Sequence, residues 1–123
     1  MYQKIANSAN SYYNFPGFNQ KNMQINFHQK HFNLSDHQKD YMSAKISGLE
    51  IYKVMADPGV SVKVDIEYQE HLSTDKKIVL AVTVVVPHET LRAETNCISA
   101  EEGIDIIEAK LRDQLEKYKD KHQ

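Results

Sequence analysis

The nine residues Ile78–Val86, IVLAVTVVV, are apolar except for Thr83 and are mostly β-branched. Such side chains lose rotamer freedom in a helix and pack well on a pleated surface, so the block predicts a strand. It is far shorter than the roughly 18–20 apolar residues that a membrane-spanning helix needs. Ile78, Leu80, Val82, Val84 and Val86 are the bulkier alternate set and are expected to face a core. The flanking segments repeat the period of two. Val60, Val62, Val64, Ile66 and Tyr68 alternate with Ser61, Lys63, Asp65 and Glu67, which gives one buried and one wet face. After a turn at Pro87-His88-Glu89, Leu91, Ala93 and Thr95 alternate with Arg92, Glu94 and Asn96. An earlier short strand, Gln24–His28, places Ile25 and Phe27 on one side.

Two helices complete the pattern. Ser35-Asp36-His37-Gln38 forms a capping box, in which the hydroxyl and the amide side chain satisfy two free backbone N–H groups. The helix it opens presents Tyr41, Met42, Ile46, Leu49 and Tyr52 or Lys53 at three- and four-residue spacing. Gly48 is expected inside that helix, at a cost of about 0.8–1 kcal/mol relative to alanine. Asp57-Pro58-Gly59 supplies the stop. A second box, Ser99-Ala100-Glu101-Glu102, opens a final helix whose stripe is Ile104, Ile107, Leu111, Leu115 and Tyr118. The order β-α-β-β-β-α predicts an α+β fold: a four-stranded mixed sheet with both helices packed on one face. The first two strands are expected to be parallel through the helical crossover, and the later ones to form a meander.

A chain of 123 residues suits one domain and one modest core. That domain is expected over residues 23–123. Residues 1–22 are rich in Asn, Tyr, Ser and Gln, with a Pro16-Gly17 turn signal and no sustained period. They are expected to be a disordered extension, or the product of a start codon upstream of the natural one. The alternative is an arm whose Tyr12, Tyr13, Phe15 and Phe18 stack on a partner. No apolar segment of a secretory signal follows Lys4, and the single Cys97 rules out an internal disulfide, so the cytoplasm is the expected compartment.

The formal net charge of −2 argues against a general nucleic-acid binder, which is usually strongly basic. Of the 15 basic groups only Lys4 and Lys21 precede Met23, which leaves 13 against all 17 acids in the domain. Any RNA affinity must come from clustering on one surface.

No catalytic constellation is present. His28 and His31 have an H-x-x-H spacing, but a strand end does not make them converge, and the six histidines are expected at the surface. With one cysteine and no partner set, no metal is expected. The four glycines are too scattered for a phosphate loop. Cys97 has no evident base and is expected to be a small buried hydrophobe. A non-enzymatic protein with no cofactor, small-molecule substrate or membrane partner is the expectation. The last helix does concentrate base: Lys110, Arg112, Lys117, Lys119, Lys121 and then His122. Asp113, Glu116 and Asp120 are interleaved, so spacing alone leaves a solvated face and a phosphate-binding face both open. Lys30, Lys45 and Arg92 could extend such a patch.

Several of these residues resemble a known signature. Leu91-Arg92-Ala93-Glu94, Ile104-Asp105, Lys110-Leu111, Gln114-Leu115 and Lys117-Tyr118-Lys119 stand in the order and spacing of the ribosome hibernation-promoting factor and protein Y family, also called the ribosome-associated inhibitor or sigma-54 modulation family. Ile25-Asn26-Phe27, Leu34-Ser35, Ala44-Lys45 and Leu49-Glu50 resemble its first strand and helix, so the likeness covers about residues 23–121. It implies binding to the 30S subunit and the 70S ribosome, on 16S rRNA across the decoding region where messenger and transfer RNA lie. It also implies inhibition of translation in stationary phase or stress. Lys45, Lys110, Lys117, Lys119 and Lys121 carry over as RNA-binding residues, with Lys30 and Arg92 as secondary candidates.

The chain departs from that pattern in places. The family's Asp-Met-Tyr-Ala-Ala before Ile-Asp is here Ser99-Ala100-Glu101-Glu102-Gly103, without the aromatic residue. Gly48 replaces a common lysine, and Asp113 stands where a basic residue is usual. Weaker or more salt-sensitive 30S binding is therefore expected. A chain ending at Gln123 is expected to be a short member lacking both the dimerisation domain and the acidic tail; it would rely on a separate ribosome modulation factor to pair ribosomes into 100S particles, or only block single 70S particles. The competing expectation is a protein-interaction module that pairs through a sheet edge or the wet sheet face.

Overall fold

A computed structural model describes residues 23–122, so the expected N-terminal extension lies outside the described residues. The elements are β1 (Gln24–Lys30), α1 (Asp36–Ser47), two 3-10 turns (Gly48–Ile51 and Lys53–Ala56), β2 (Ser61–Tyr68), β3 (Ile78–Val86), β4 (Glu89–Cys97) and α2 (Ala100–Lys121). The sheet runs β1-β2-β3-β4. The first pair is parallel and the next two are antiparallel, as the element order predicted.

Register separates two faces. Phe27, Val64, Val82 and Ala93 form one row across the core face, and His28, Asp65, Ala81 and Glu94 form a row on the other. Both helices close over the core face. Ile104, Ile107, Leu111 and Leu115 of α2 join Met42 and Ile46 of α1 and the inward strand residues in one cluster. Each fully buried aliphatic side chain contributes about 1.5–3 kcal/mol, so α2 is the main clamp on the sheet. Among the described residues no helix is long and apolar enough to cross a membrane.

Two local features differ from the sequence reading. The first helix ends at Ser47, and Gly48 begins a 3-10 turn at φ −61°, ψ −18° rather than sitting mid-helix. The reason is burial: Leu49, Tyr52 and Met55 all face the core, and a three-residue repeat aligns them as an α-helix would not. The first capping box is complete, with Gln38 N–H donating to Ser35 Oγ and Ser35 N–H to Gln38 Oε1, both at 3.0 Å. In the second, Glu102 N–H donates to Ser99 Oγ at 3.1 Å, but Glu102 Oε1 accepts from Ile98 N–H at 2.8 Å. That carboxylate satisfies the donor one residue further out.

Gly103 explains one departure from the family pattern. A Cβ there would lie 2.6 Å from Cys97 Sγ and 2.8 Å from Leu80 Cδ2, so α2 can cross β4 this closely only with glycine. Cys97 is fully buried, as expected of a small hydrophobe, and burial pushes its thiol up to about 11. A thiol held protonated at neutral pH is a poor nucleophile.

Candidate nucleic-acid interface

Helix α2 carries two different flanks beside its buried stripe. Residues separated by three, four or seven positions share a side of a helix. On one flank stand Lys110, Gln114, Lys117 and Lys121, along the outer edge of β4. Gln114 Nε2 donates to the Arg92 carbonyl at 2.8 Å, and Arg92 N–H donates to Gln114 Oε1 at 3.2 Å. Lys110 Nζ donates to the Glu94 carbonyl at 2.9 Å. These side chains satisfy backbone groups that an edge strand otherwise offers to a foreign strand. Three backbone groups in the middle of the β4 edge are therefore occupied from within the chain, which makes that edge a poorer template for sheet pairing.

The other flank faces α1 and is acidic. Tyr41 O–H donates to Asp105 Oδ1 at 2.8 Å, and Lys45 Nζ lies 3.1 Å from the same oxygen. Lower down, Tyr52 O–H donates to Glu116 Oε2 at 2.8 Å, with Lys119 Nζ 3.5 Å from Glu116 Oε1. Arg112 pairs with Glu108 on the same side. The Tyr41 hydroxyl and then Lys45 hold the Asp105 carboxyl below its usual value. The Tyr52 hydroxyl and then Lys119 do the same for Glu116, and Lys121 for Glu89.

The pH dependence comes from those directions. Stability from Asp105, Glu116 and Glu89 is fully present above the ordinary carboxylate pKa of about 4 and is lost as pH falls through the lowered folded-state values. The urea midpoint of unfolding is expected to fall progressively as pH drops below about 4. Asp105→Asn should flatten that acid limb while lowering the plateau at pH 7. An acid limb identical to the parent's would show that Asp105 is not among its causes.

The seven cations expected from sequence do not form one patch. Lys110, Lys117 and Lys121 gather along the β4 border, whereas the Arg92 side chain lies on the open sheet face, where its guanidinium donates to Thr83 and Glu94. Lys45 and Lys119 lie on the α1-facing flank. Lys30 is on β1 at the opposite edge of the sheet, about 14 Å away at three strand spacings. Most are already occupied. Lys30 pairs with Glu67 at 3.9 Å, Arg92 with Glu94 at 3.2 Å, and Lys121 with Glu89 at 3.0 Å. Among the described residues, Lys117 and Lys110 alone of the seven make no ion pair, and Lys110 is spent on the Glu94 carbonyl. Exposed pairs like these are worth about 0–1 kcal/mol, so a phosphate can take over their cations. The open sheet face balances Lys30, Lys63 and Arg92 against Asp65, Glu67 and Glu94.

Sequence reading missed a concavity on the helix side. The 3-10 turns, the β3–β4 turn and the end of α2 enclose a groove of about 790 Å³. Its residues come from three separate segments, and the one local signal was a histidine following a proline in a two-residue turn. All six histidines are exposed, and among the described residues no group of three or more His, Cys, Asp or Glu side chains could hold a metal.

Solved structures share this architecture. The N-terminal domain of Thermus thermophilus Protein Y superposes with a TM-score of 0.63 at 20% identity, covering 78% of this chain and 99% of that one. A ribosomal subunit interface protein from Coxiella burnetii gives 0.63 at 19%, covering 79% and 98%. At such identities the likeness establishes the fold. No curated protein matches the chain. Family membership is carried by the sequence itself: residues 25–123 match the profile described as sigma 54 modulation protein / S30EA ribosomal protein. The chain belongs to that family of ribosome-associated proteins.

Proposed function

We propose that this protein binds the small ribosomal subunit at the decoding region, on the 30S particle and within the 70S ribosome, and silences translation in slow growth or stress. The observation that carries this reading is the family match over residues 25–123. The names of the two structural neighbours, a protein Y and a ribosomal subunit interface protein, point the same way. The chemistry is binding alone, in the cytoplasm: lysine and arginine on a rigid α+β frame meet the phosphates of 16S rRNA, and shape is read more than sequence. The β4 border of α2, with Lys117 at its centre and Lys110 and Lys121 around it, is the surface best suited to that role; Arg92 would meet RNA only from the open sheet face. Lys45, Lys119 and Lys30 would contribute only by giving up their carboxylate partners.

Sucrose-gradient sedimentation with purified 30S and 70S particles tests this. At low salt the protein should travel with the particles and should be released as salt rises through a few hundred millimolar, as phosphate contacts exchange for counterions. A protein that stays at the top of the low-salt gradient would refute the reading. Capture of one protein partner without rRNA would instead favour the interaction-module reading, which the acidic excess of the domain supports.

A further inference from the structure

The groove at the end of α2 has a composition that the β4 border lacks. Its floor is Tyr118, whose ring lies 4.3 Å from that of His122 and whose hydroxyl donates to the Pro87 carbonyl at 2.7 Å. His122 in turn stacks on His88, with centroids 5.7 Å apart and planes 16° from parallel. The three rings thus lie in series, with Tyr118 buried at the inner end as a support and the exposed His88 and His122 forming the shelf. Ile51, 72% exposed, and Val54 make the opposite wall.

His88 reaches its place in the shelf at a conformational cost. It is the second residue of the two-residue loop between Val86 and Glu89, and its φ is +75°. A proline followed by positive φ is the pattern of a type II turn, where glycine or asparagine is usual. A side chain kept in that region is a mark of a functional constraint. The ring is what glycine would remove.

The rim carries two lysines, Lys53 and Lys119, against one carboxylate, Glu116, and Glu89 lies 3.7 Å from His122 Nε2. Lys53 makes no ion pair among the described residues, and Lys119 shares Glu116 with the Tyr52 hydroxyl. An amphipathic peptide helix would need a row of exposed apolar anchors. The large exposed hydrophobics among the described residues are Ile51, Val85 and Ile98, and only Ile51 lines the groove. A flat aromatic ligand with a phosphate beside it fits both shelf and rim. Unpaired RNA bases are recognised in this way, stacked on aromatic or histidine rings while lysines hold the backbone.

We infer that the groove is a nucleotide subsite: one unstacked base of single-stranded RNA lies on the His88–His122 shelf, backed by Tyr118, with its phosphate at Lys53 and Lys119. The inference rests on the RNA-binding reading above and adds a base-dependent contact to it, separate from the phosphate strip beside β4.

Tetra-adenylate RNA and an abasic ribose-phosphate tetramer of equal charge separate the two, each titrated into the full chain and followed by NMR. The adenylate should shift the resonances of Ile51, His88 and His122, and the abasic tetramer should not. His88→Gly suits the positive φ and so should keep the thermal midpoint, yet weaken tetra-adenylate binding about tenfold. His122→Ala should act in the same direction. Equal shifts from both tetramers, shifts confined to the β4 border, or unchanged affinity in both variants would overturn the inference. So would displacement of the RNA by an apolar peptide that binds the groove more tightly. The two readings fail separately. A tetra-adenylate seated in the groove of a protein that ignores 30S particles sinks only the ribosomal role. Co-sedimentation with 30S without base-dependent shifts sinks only the groove.

Discussion

Gly103→Ala is expected to destabilise the domain by about 1–2 kcal/mol, although alanine is the better helix former by nearly 1 kcal/mol. The added methyl would sit 2.6 Å from Cys97 Sγ and 2.8 Å from Leu80 Cδ2, and both partners are fully buried. Overpacking of this kind costs roughly 1–3 kcal/mol, because α2 must lift or the strand side chains must leave their rotamers. Against a core this tight, the packing term outweighs propensity. A thermal midpoint lower by roughly 4–15 °C is the expected result for a domain of this size. Cys97→Ala removes the nearer clash, so the double variant should be markedly more stable than the sum of the two single losses, with a coupling of about 0.5–3 kcal/mol. Strict additivity would mean that the helix relaxes away from β4 without cost. The same pair explains why this chain has glycine where its family pattern has alanine: Cys97 occupies the space.

The strands, both helices and the direction of each face were legible because alternation and helical spacing report burial directly. Val62, Leu80 and Ile107 each sit where their spacing put them, on the core face or against it. The end of α1 was less legible. Leu49 and Tyr52 suit a helix continued past Gly48 almost as well as a 3-10 turn, and only the burial of Met55 one further step of three distinguishes them. The binding surface was legible in part. Lysines at seven- and four-residue spacing mark Lys110, Lys117 and Lys121 as one flank of α2. The groups that Lys110 and Lys121 engage come from elsewhere in the chain, Glu94 and Glu89 on β4, and no local pattern in α2 announces them. The same holds for Asp105, which meets α1's Lys45 only once the helices are packed. The His88–His122 shelf depends on a turn and a helix end meeting in space.

Those pairings decide which cations should matter for ribosome binding. Lys117→Glu with Lys121→Glu is expected to weaken 30S affinity about 10–100-fold, and to reduce the slope of log affinity against log salt by about 2. Lys117 makes no ion pair among the described residues, and Lys121, on the same flank, is itself exposed and pairs with the half-buried Glu89 at 3.0 Å. Lys45→Gln should change affinity by less than about threefold, because Lys45 lies on the α1-facing flank and Asp105 already neutralises its ammonium group. Lys110→Gln tests a different role, since its ammonium caps the Glu94 carbonyl on the β4 edge. It should lower stability, or open that edge to self-association, before it changes the salt slope. Lys30→Gln supplies the contrast across the sheet. If the open sheet face rather than the α2 flank met the RNA, Lys30 and Lys63 would carry the salt dependence and the Lys117/Lys121 double variant would bind as the parent does. Fluorescence titration of labelled 30S particles at three salt concentrations separates the two outcomes. A charge-neutral sheet face and an α2 flank with Lys117 unpaired favour the first.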